Sequence, residues 1–270
     1  QAKLAELQKG LRPEEAVVEN TKVSSAQVAY ETARADAVNS IRSAYSKIDS
    51  AIKNQTDTFF NNPQTANPVI NLRTESTVIS DKANAARLYV GEQLVTWKKE
   101  IDAVDVTSDK SVSALVTSSQ AHMSAAKDLL SQLIVIVNAI STANSGLSAT
   151  VIDGYLTAVN TAYADYTSAA SSVTSAESGF KSASSSLALA KDQFSLKSAG
   201  ASPEAIEAQI ARVEQASANV ASLASTLTKS KIVSPFDGIV TKADPEIGEY
   251  VPAGSSGFAV MSDESFKIEV

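Results

Sequence analysis

Few residues of this chain could do acid–base, nucleophilic or metal chemistry, and their spacing does not favour it. There is one histidine, His122, and no cysteine. That removes disulfides, thiolate metal sites and cysteine nucleophiles, and leaves no second imidazole for zinc. His122 falls on a row of apolar positions at helical spacing, where a lone ring packs rather than binds metal. Asp102, Asp105 and Asp109 cluster around a turn, but they lack the alternating acids and central glycine of a calcium loop. Helix capping and solvation account for them. Trp97, Tyr155, Tyr163 and Tyr166 could line a groove, yet their spacing assigns them to a helical core with the hydroxyls at its edge. No set of nucleophile, base and oxyanion donors can be assembled. The expectation is therefore a protein that is not an enzyme and needs no cofactor or metal.

Composition narrows the class further. The chain has 270 residues, of which 44% are apolar but only 6% aromatic. A core is affordable, while a deep pocket walled by large side chains is not favoured. With 23 basic against 30 acidic residues the net charge is −7, and no cluster of Lys and Arg tracks a phosphate backbone, which argues against nucleic acid as a partner. The longest apolar stretch, Leu129 to Ile140, is broken by Ser131, Gln132 and Asn138 and is too short to cross a bilayer. The chain opens inside a helical pattern and without Met, so we expect a piece of a longer protein.

The elements that position these residues are marked by a repeated break, Gly10-Leu11-Arg12-Pro13-Glu14 and Gly200-Ala201-Ser202-Pro203-Glu204. Glycine just beyond a helix end accepts left-handed backbone, and proline fits the first turn of the next helix. The glutamate that follows meets the positive end of the new helix dipole. Between the breaks, apolar residues alternate three and four apart. One run holds Ile152, Leu156, Val159, Tyr163, Tyr166, Ala170, Val173, Phe180, Leu187 and Phe194, and its counterpart holds Val38, Ile41, Tyr45, Ile48, Ile52 and Phe59. These seams predict a long antiparallel coiled-coil pair over 13–60 and 148–197, each helix about 70 Å long. Asn61-Asn62-Pro63 stops the first helix.

The intervening 61–147 predicts two shorter helices, 74–104 and 109–143, with Ser108 or Asp109 capping the second. The second seam reads Leu115, Ser119, His122, Ala126, Leu129, Leu133, Ile136 and Ile140. The short link at Asn144-Ser145-Gly146 favours folding back into a distal four-helix bundle over extending the arm. Residues 1–9 are expected to end a helix that pairs with 203–229. From Lys231 onward, β-branched and aromatic residues punctuated by Pro and Gly predict short strands. The fold class is thus mainly α, with a small C-terminal β segment.

That segment carries a resemblance. Ile232-Val233-Ser234-Pro235-Phe236-Asp237-Gly238-Ile239-Val240, then Gly248-Glu249-Tyr250-Val251-Pro252-Ala253-Gly254, then Phe258-Ala259-Val260-Met261, closely resembles the second half of the lipoyl-like domain in HlyD-type membrane fusion proteins, the periplasmic adaptors of efflux and secretion systems. The breaks before Glu14 and Glu204 look like those of the same family. Ser234 stands where Ala is usual. Locally, Pro235 is expected to end the helical run, Phe236 to anchor the sandwich, Asp237 to form an Asx turn, and Gly238, Gly248 and Gly254 to permit tight or positive-φ turns. Lipoyl and biotin carriers share this half-motif. Their cofactor-bearing lysine hairpin would precede residue 231, where this chain has helix, which argues against a carrier.

The resemblance implies a second lipoyl half over 231–262 and the start of a β-barrel strand over 263–270. It also implies an extracytoplasmic, membrane-anchored homo-oligomer that partners an inner-membrane ABC or proton-driven transporter. The Arg-x3-Leu-x6-Ser pattern of adaptors that dock on outer-membrane channels follows neither Arg73 nor Arg87, and the helical insert replaces the simple tip. Direct docking on such a channel is therefore not expected. The alternative expectation is a structural or adhesive coiled-coil stalk of the cell surface. Ala- and Ser-rich seams fit either a thin, weakly stabilised arm or close approach of neighbouring arms in a ring.

Overall fold

A computed structural model of the chain describes residues 1–74 and 76–262. It is mainly helical, with two small antiparallel strand pairs. The expected barrel strand over 263–270 lies outside the described residues. Two compact units divide the chain: Gly10–Gly200, and Gln1–Lys9 together with the residues from Ala201 onward.

In the larger unit, α2 (Pro13–Ser50) opens with proline in its first turn and Glu14 and Glu15 at the positive end of its dipole. Its last turns widen to a π-helix over Ala51–Thr56, then tighten to a 3-10 turn over Asp57–Phe59. The chain then makes a two-residue strand β1 (Phe60–Asn61), which pairs antiparallel with β2 (Val69–Ile70). Sequence spacing gave no sign of these strands. They are short, and Ile70 takes its hydrogen bond from outside the pair, donating its N–H to Asn84 Oδ1 at 2.6 Å. Helices α3 (Thr77–Ala103) and α4 (Asp109–Ala139) follow, then the single turn α5 (Thr142–Ser145) and the long α6 (Ala149–Ser198). The expected limits, 74–104 and 109–143, are corrected at two points. Ser76 is the N-cap of α3. α4 stops at Ala139, because Ser141 caps α5 and Asn144 Nδ2 donates to the Ala139 carbonyl.

Helices α2 and α6 lie side by side and run antiparallel. Lys197 meets Glu19 at one end, Tyr30 stacks on Phe180, Lys47 donates to Ser168, and Gln55 donates to Asp165 at the other. The core has two parts. The larger gathers Ile48 and Ile52 of α2, Leu94 and Trp97 of α3, Leu129 and Leu133 of α4, and Val159 and Val173 of α6, with Tyr163 packed against it. The smaller holds Tyr30, Ala37 and Val38 with Val112, Phe180 and Leu187. All eight residues of the expected seam, from Leu115 in α4 to Ile140 just past its end, are buried. In contrast, Val17, Val18 and Leu196 remain exposed, so apolar burial is concentrated away from the Gly10 and Gly200 ends.

The insert folds back along the pair. In the 105–109 turn, the Thr107 carbonyl and the Asp109 carboxylate each accept from Arg34 Nη1 at 2.9 Å. Arg34 lies near the middle of α2, several turns before β1, so the turn lies beside the pair rather than beyond it.

The smaller unit contains α1 (Ala2–Lys9), packed on α7 (Pro203–Lys229). Strands β3 (Gly238–Ala243) and β4 (Phe258–Ser262) pair antiparallel from Gly238↔Ser262 to Ala243↔Phe258, with a bulge between Val240 and Lys242. Among its described residues none is buried.

Candidate functional site

Gly10 and Gly200, the glycines of the two breaks, have φ of 66° and 72°, the left-handed region that glycine enters without steric cost. They lie against each other: a Cβ built on Gly10 would sit 3.2 Å from the Ser198 carbonyl oxygen and 3.7 Å from Gly200 Cα. Pro13 and Pro203 open the helices beyond them. Sequence reasoning passed over Ser202, whose side chain caps α7 by accepting from the Ala205 amide; the Glu204 amide, and the Ser202 hydroxyl after it, hold the Glu204 carboxyl below the usual range. Close to this end, Lys197 and Lys22 converge on one oxygen of Glu19 at 2.6 and 2.8 Å and lower its pKa.

The β motif differs from expectation at four of its residues, Pro235, Phe236, Asp237 and Gly238. Gly238 has no positive φ. It is needed because a Cβ there would come within 2.2 Å of the Met261 carbonyl oxygen across the strand pair, whereas Gly248 and Gly254 do take positive φ in turns. Pro235 does not end the helix, which stops five residues earlier, where Ser230 Oγ donates to the Leu227 carbonyl at 2.7 Å. The local turn at Pro235 is made by Ser234, whose Oγ accepts from the Phe236 amide and donates to the Phe236 carbonyl; no bond from Asp237 accompanies it among the described residues. Among the described residues Phe236 anchors no core: it is exposed, together with Ile232, Ile239, Val251, Phe258 and Met261. The motif thus presents an apolar face that no described residue covers.

The polar candidates are placed by their partners. Asp105 accepts from the Thr107 amide and hydroxyl in an Asx turn, and the hydroxyl bond, with the amide bond second, lowers its pKa. Ser108 caps α4. Tyr30 and Arg34 hold the Asp109 carboxyl below its usual range, while burial, and Asp109 after it, push the Tyr30 hydroxyl up. Asp102 pairs with Lys98. Among the described residues no cluster of three His, Asp or Glu side chains forms a metal site, and no helix is long and apolar enough to cross a membrane. Trp97 is fully buried, its indole N–H donating to Ser119 Oγ at 2.8 Å. Tyr155 meets Phe59 edge-on, and Tyr163 and Tyr166 lie half-buried beside each other. Burial pushes the Tyr166 hydroxyl up.

His122 does not face solvent. Its Nδ1 lies 2.7 Å from Gln93 Oε1 and its Nε2 3.1 Å from Glu100 Oε2. Sequence reasoning also missed the Asp57–Arg87 pair: Arg87 Nε and Nη2 donate to Asp57 Oδ1 at 2.8 and 2.6 Å, with both side chains nearly removed from solvent. Thirty residues separate the two; Arg87 occupies the buried row of α3 with Ala83, Val90 and Leu94, but Asp57 sits in the 3-10 turn, so no shared periodicity joins them.

No protein-family profile, curated protein or solved structure matches this chain. Its function is therefore argued from its own surfaces. Apolar side chains are exposed in both units, Val17, Val18 and Leu196 among them in the larger, but only in the smaller unit is no described residue buried.

Proposed function

We propose that this chain is part of a membrane fusion adaptor, a non-enzymatic extracytoplasmic subunit that scaffolds a membrane transporter. In this reading α2 and α6 form a coiled-coil hairpin whose far end is thickened into a four-helix bundle by α3 and α4. Strands β3 and β4 are half of a lipoyl-like sandwich, and α1 and α7 form a separate, shorter helical pair. The transporter is an inner-membrane ABC or proton-driven protein, and the adaptor encircles it as a homo-oligomer.

One observation supports this above the rest: a two-stranded pair with a close-approach glycine follows α7 directly and leaves Phe236, Ile239, Val251, Phe258 and Met261 uncovered. An isolated two-stranded ribbon is at best marginally stable in water and needs further strands or a packed helix. A stalk whose β segment merely joins helices has no use for such a face.

The test is site-specific photo-crosslinking in intact cells, with the photoreactive residue at Tyr250 or Ile247, both fully exposed. An adaptor gives a covalent adduct with an integral-membrane transporter subunit. Adducts with other copies of the chain alone would favour the stalk.

A further inference from the structure

A cleft of about 570 Å³ opens in the larger unit between the loop joining β1 to β2 and helix α3, within the size range of small-molecule sites. Its buried polar group is Arg87, 2% exposed. Asp57 Oδ1 accepts from Arg87 Nε and Nη2. The remaining nitrogen, Nη1, takes no part in that pair and lies beside Gly91, where a Cβ would come within 3.3 Å of it. Glycine is poorly tolerated inside a helix, and a guanidinium tied down by two bonds has little room to yield to a larger side chain. Glycine at 91 therefore keeps the Nη1 edge free at the cleft wall.

Lys53 enters from a second wall, carried on the π-helical end of α2, a distortion frequent where a helix builds a site. Its Nζ pairs with Asp49 Oδ1 at 2.6 Å. The loop wall is held by the acid that also holds Arg87: Gln64 Nε2 donates to Asp57 Oδ2 at 3.0 Å, and Asn62, at φ 52°, turns the chain just before it. Asp49 and Asp57 brace the two cations without lining the cleft themselves. Glu92 is the acid that does line it, at an exposed position. Tyr45 and Val95 add apolar surface.

We propose that this cleft binds a small organic carboxylate with an apolar body, the carboxylate on Arg87 Nη1 and Lys53 Nζ and the body against Tyr45 and Val95. Guanidinium and ammonium groups donate and never accept, and their bonds to a carboxylate are among the strong ones. A cationic ligand would meet Glu92 alone. The site lies wholly within the larger unit and does not depend on the adaptor reading.

The test is titration of the isotope-labelled chain with phenylbutyrate, and separately with phenylbutylamine, which has the same apolar body and the opposite charge. Phenylbutyrate should shift the Gly91 and Thr65 amide resonances saturably, and the amine should bind more weakly. Gly91→Ala, which crowds Nη1, should weaken phenylbutyrate about tenfold, the loss of one charge-assisted hydrogen bond. Lys53→Gln, at a half-exposed position, should weaken it a few-fold, and Glu92→Gln should tighten it. Absence of a saturable shift, an amine bound as tightly as the carboxylate, or affinity unchanged in both Gly91→Ala and Lys53→Gln would overturn the site.

Discussion

Single residues decide this fold where charge is buried. Arg87 and Asp57 form an ion pair with almost no solvent access, and removing one partner of such a pair leaves the other charged in a poorly solvated site. Arg87→Leu is expected to destabilise the larger unit by about 3–5 kcal/mol in urea unfolding, and adding Asp57→Leu should recover part of that loss. Glu19 supplies a pH test. Lys197 and Lys22 lower its pKa from the ordinary 4.5. A carboxyl whose folded pKa is depressed contributes stability that is complete above its unfolded value and is lost as pH falls through the folded one. Thermal melts should therefore show a shallower loss of stability below about pH 4.5 in Glu19→Gln than in wild type, with parallel profiles near neutrality. At Gly238 the constraint is steric: an alanine Cβ would strike the Met261 carbonyl, so Gly238→Ala should break the β3–β4 register, read as lost cross-strand NOEs between Ile239 and Met261.

At the scale of elements, the sequence made the helices legible through two signals that act locally. Glycine followed by proline closes one helix and opens the next, and a three-four apolar rhythm names the buried face, as in α4. Direction was harder to see. The insert is tied back by Arg34 to Thr107 and Asp109, residues 73 and 75 positions away, and hydrophobic periodicity carries no information about such a pair. The same holds for His122, whose rhythm announced burial but not Gln93 and Glu100 as its partners. The short strands β1 and β2 escaped because two-residue strands have no period. Spin labels at Ala35 and Val106 test the folded-back insert. They should lie close together across the Arg34 contact, whereas an insert extending the pair would set them about 80 Å apart at the helical rise.

On the scale of the whole molecule, the two units differ in what they bury. Gly10–Gly200 encloses a core from Tyr30 to Leu187, while the other unit buries none of its described residues and shows Ile232, Val233, Ile239, Val240 and Tyr250 to solvent. At about 25 cal/mol for each Å² of apolar surface removed from water, covering that face would stabilise the smaller unit. The Pro-Phe-Asp-Gly motif marked the segment as strands and turns in the sequence, but what covers Phe236 was not legible, and no described residue covers it in the fold. The most direct measurement is amide hydrogen exchange over 238–243 and 258–262, in this chain by itself and in the chain extended by its natural upstream sequence. If the strands are half of a lipoyl-like sandwich, their amides exchange quickly in the first and become protected in the second. Full protection in the chain by itself, or no gain on extension, would contradict the half-domain and with it the adaptor.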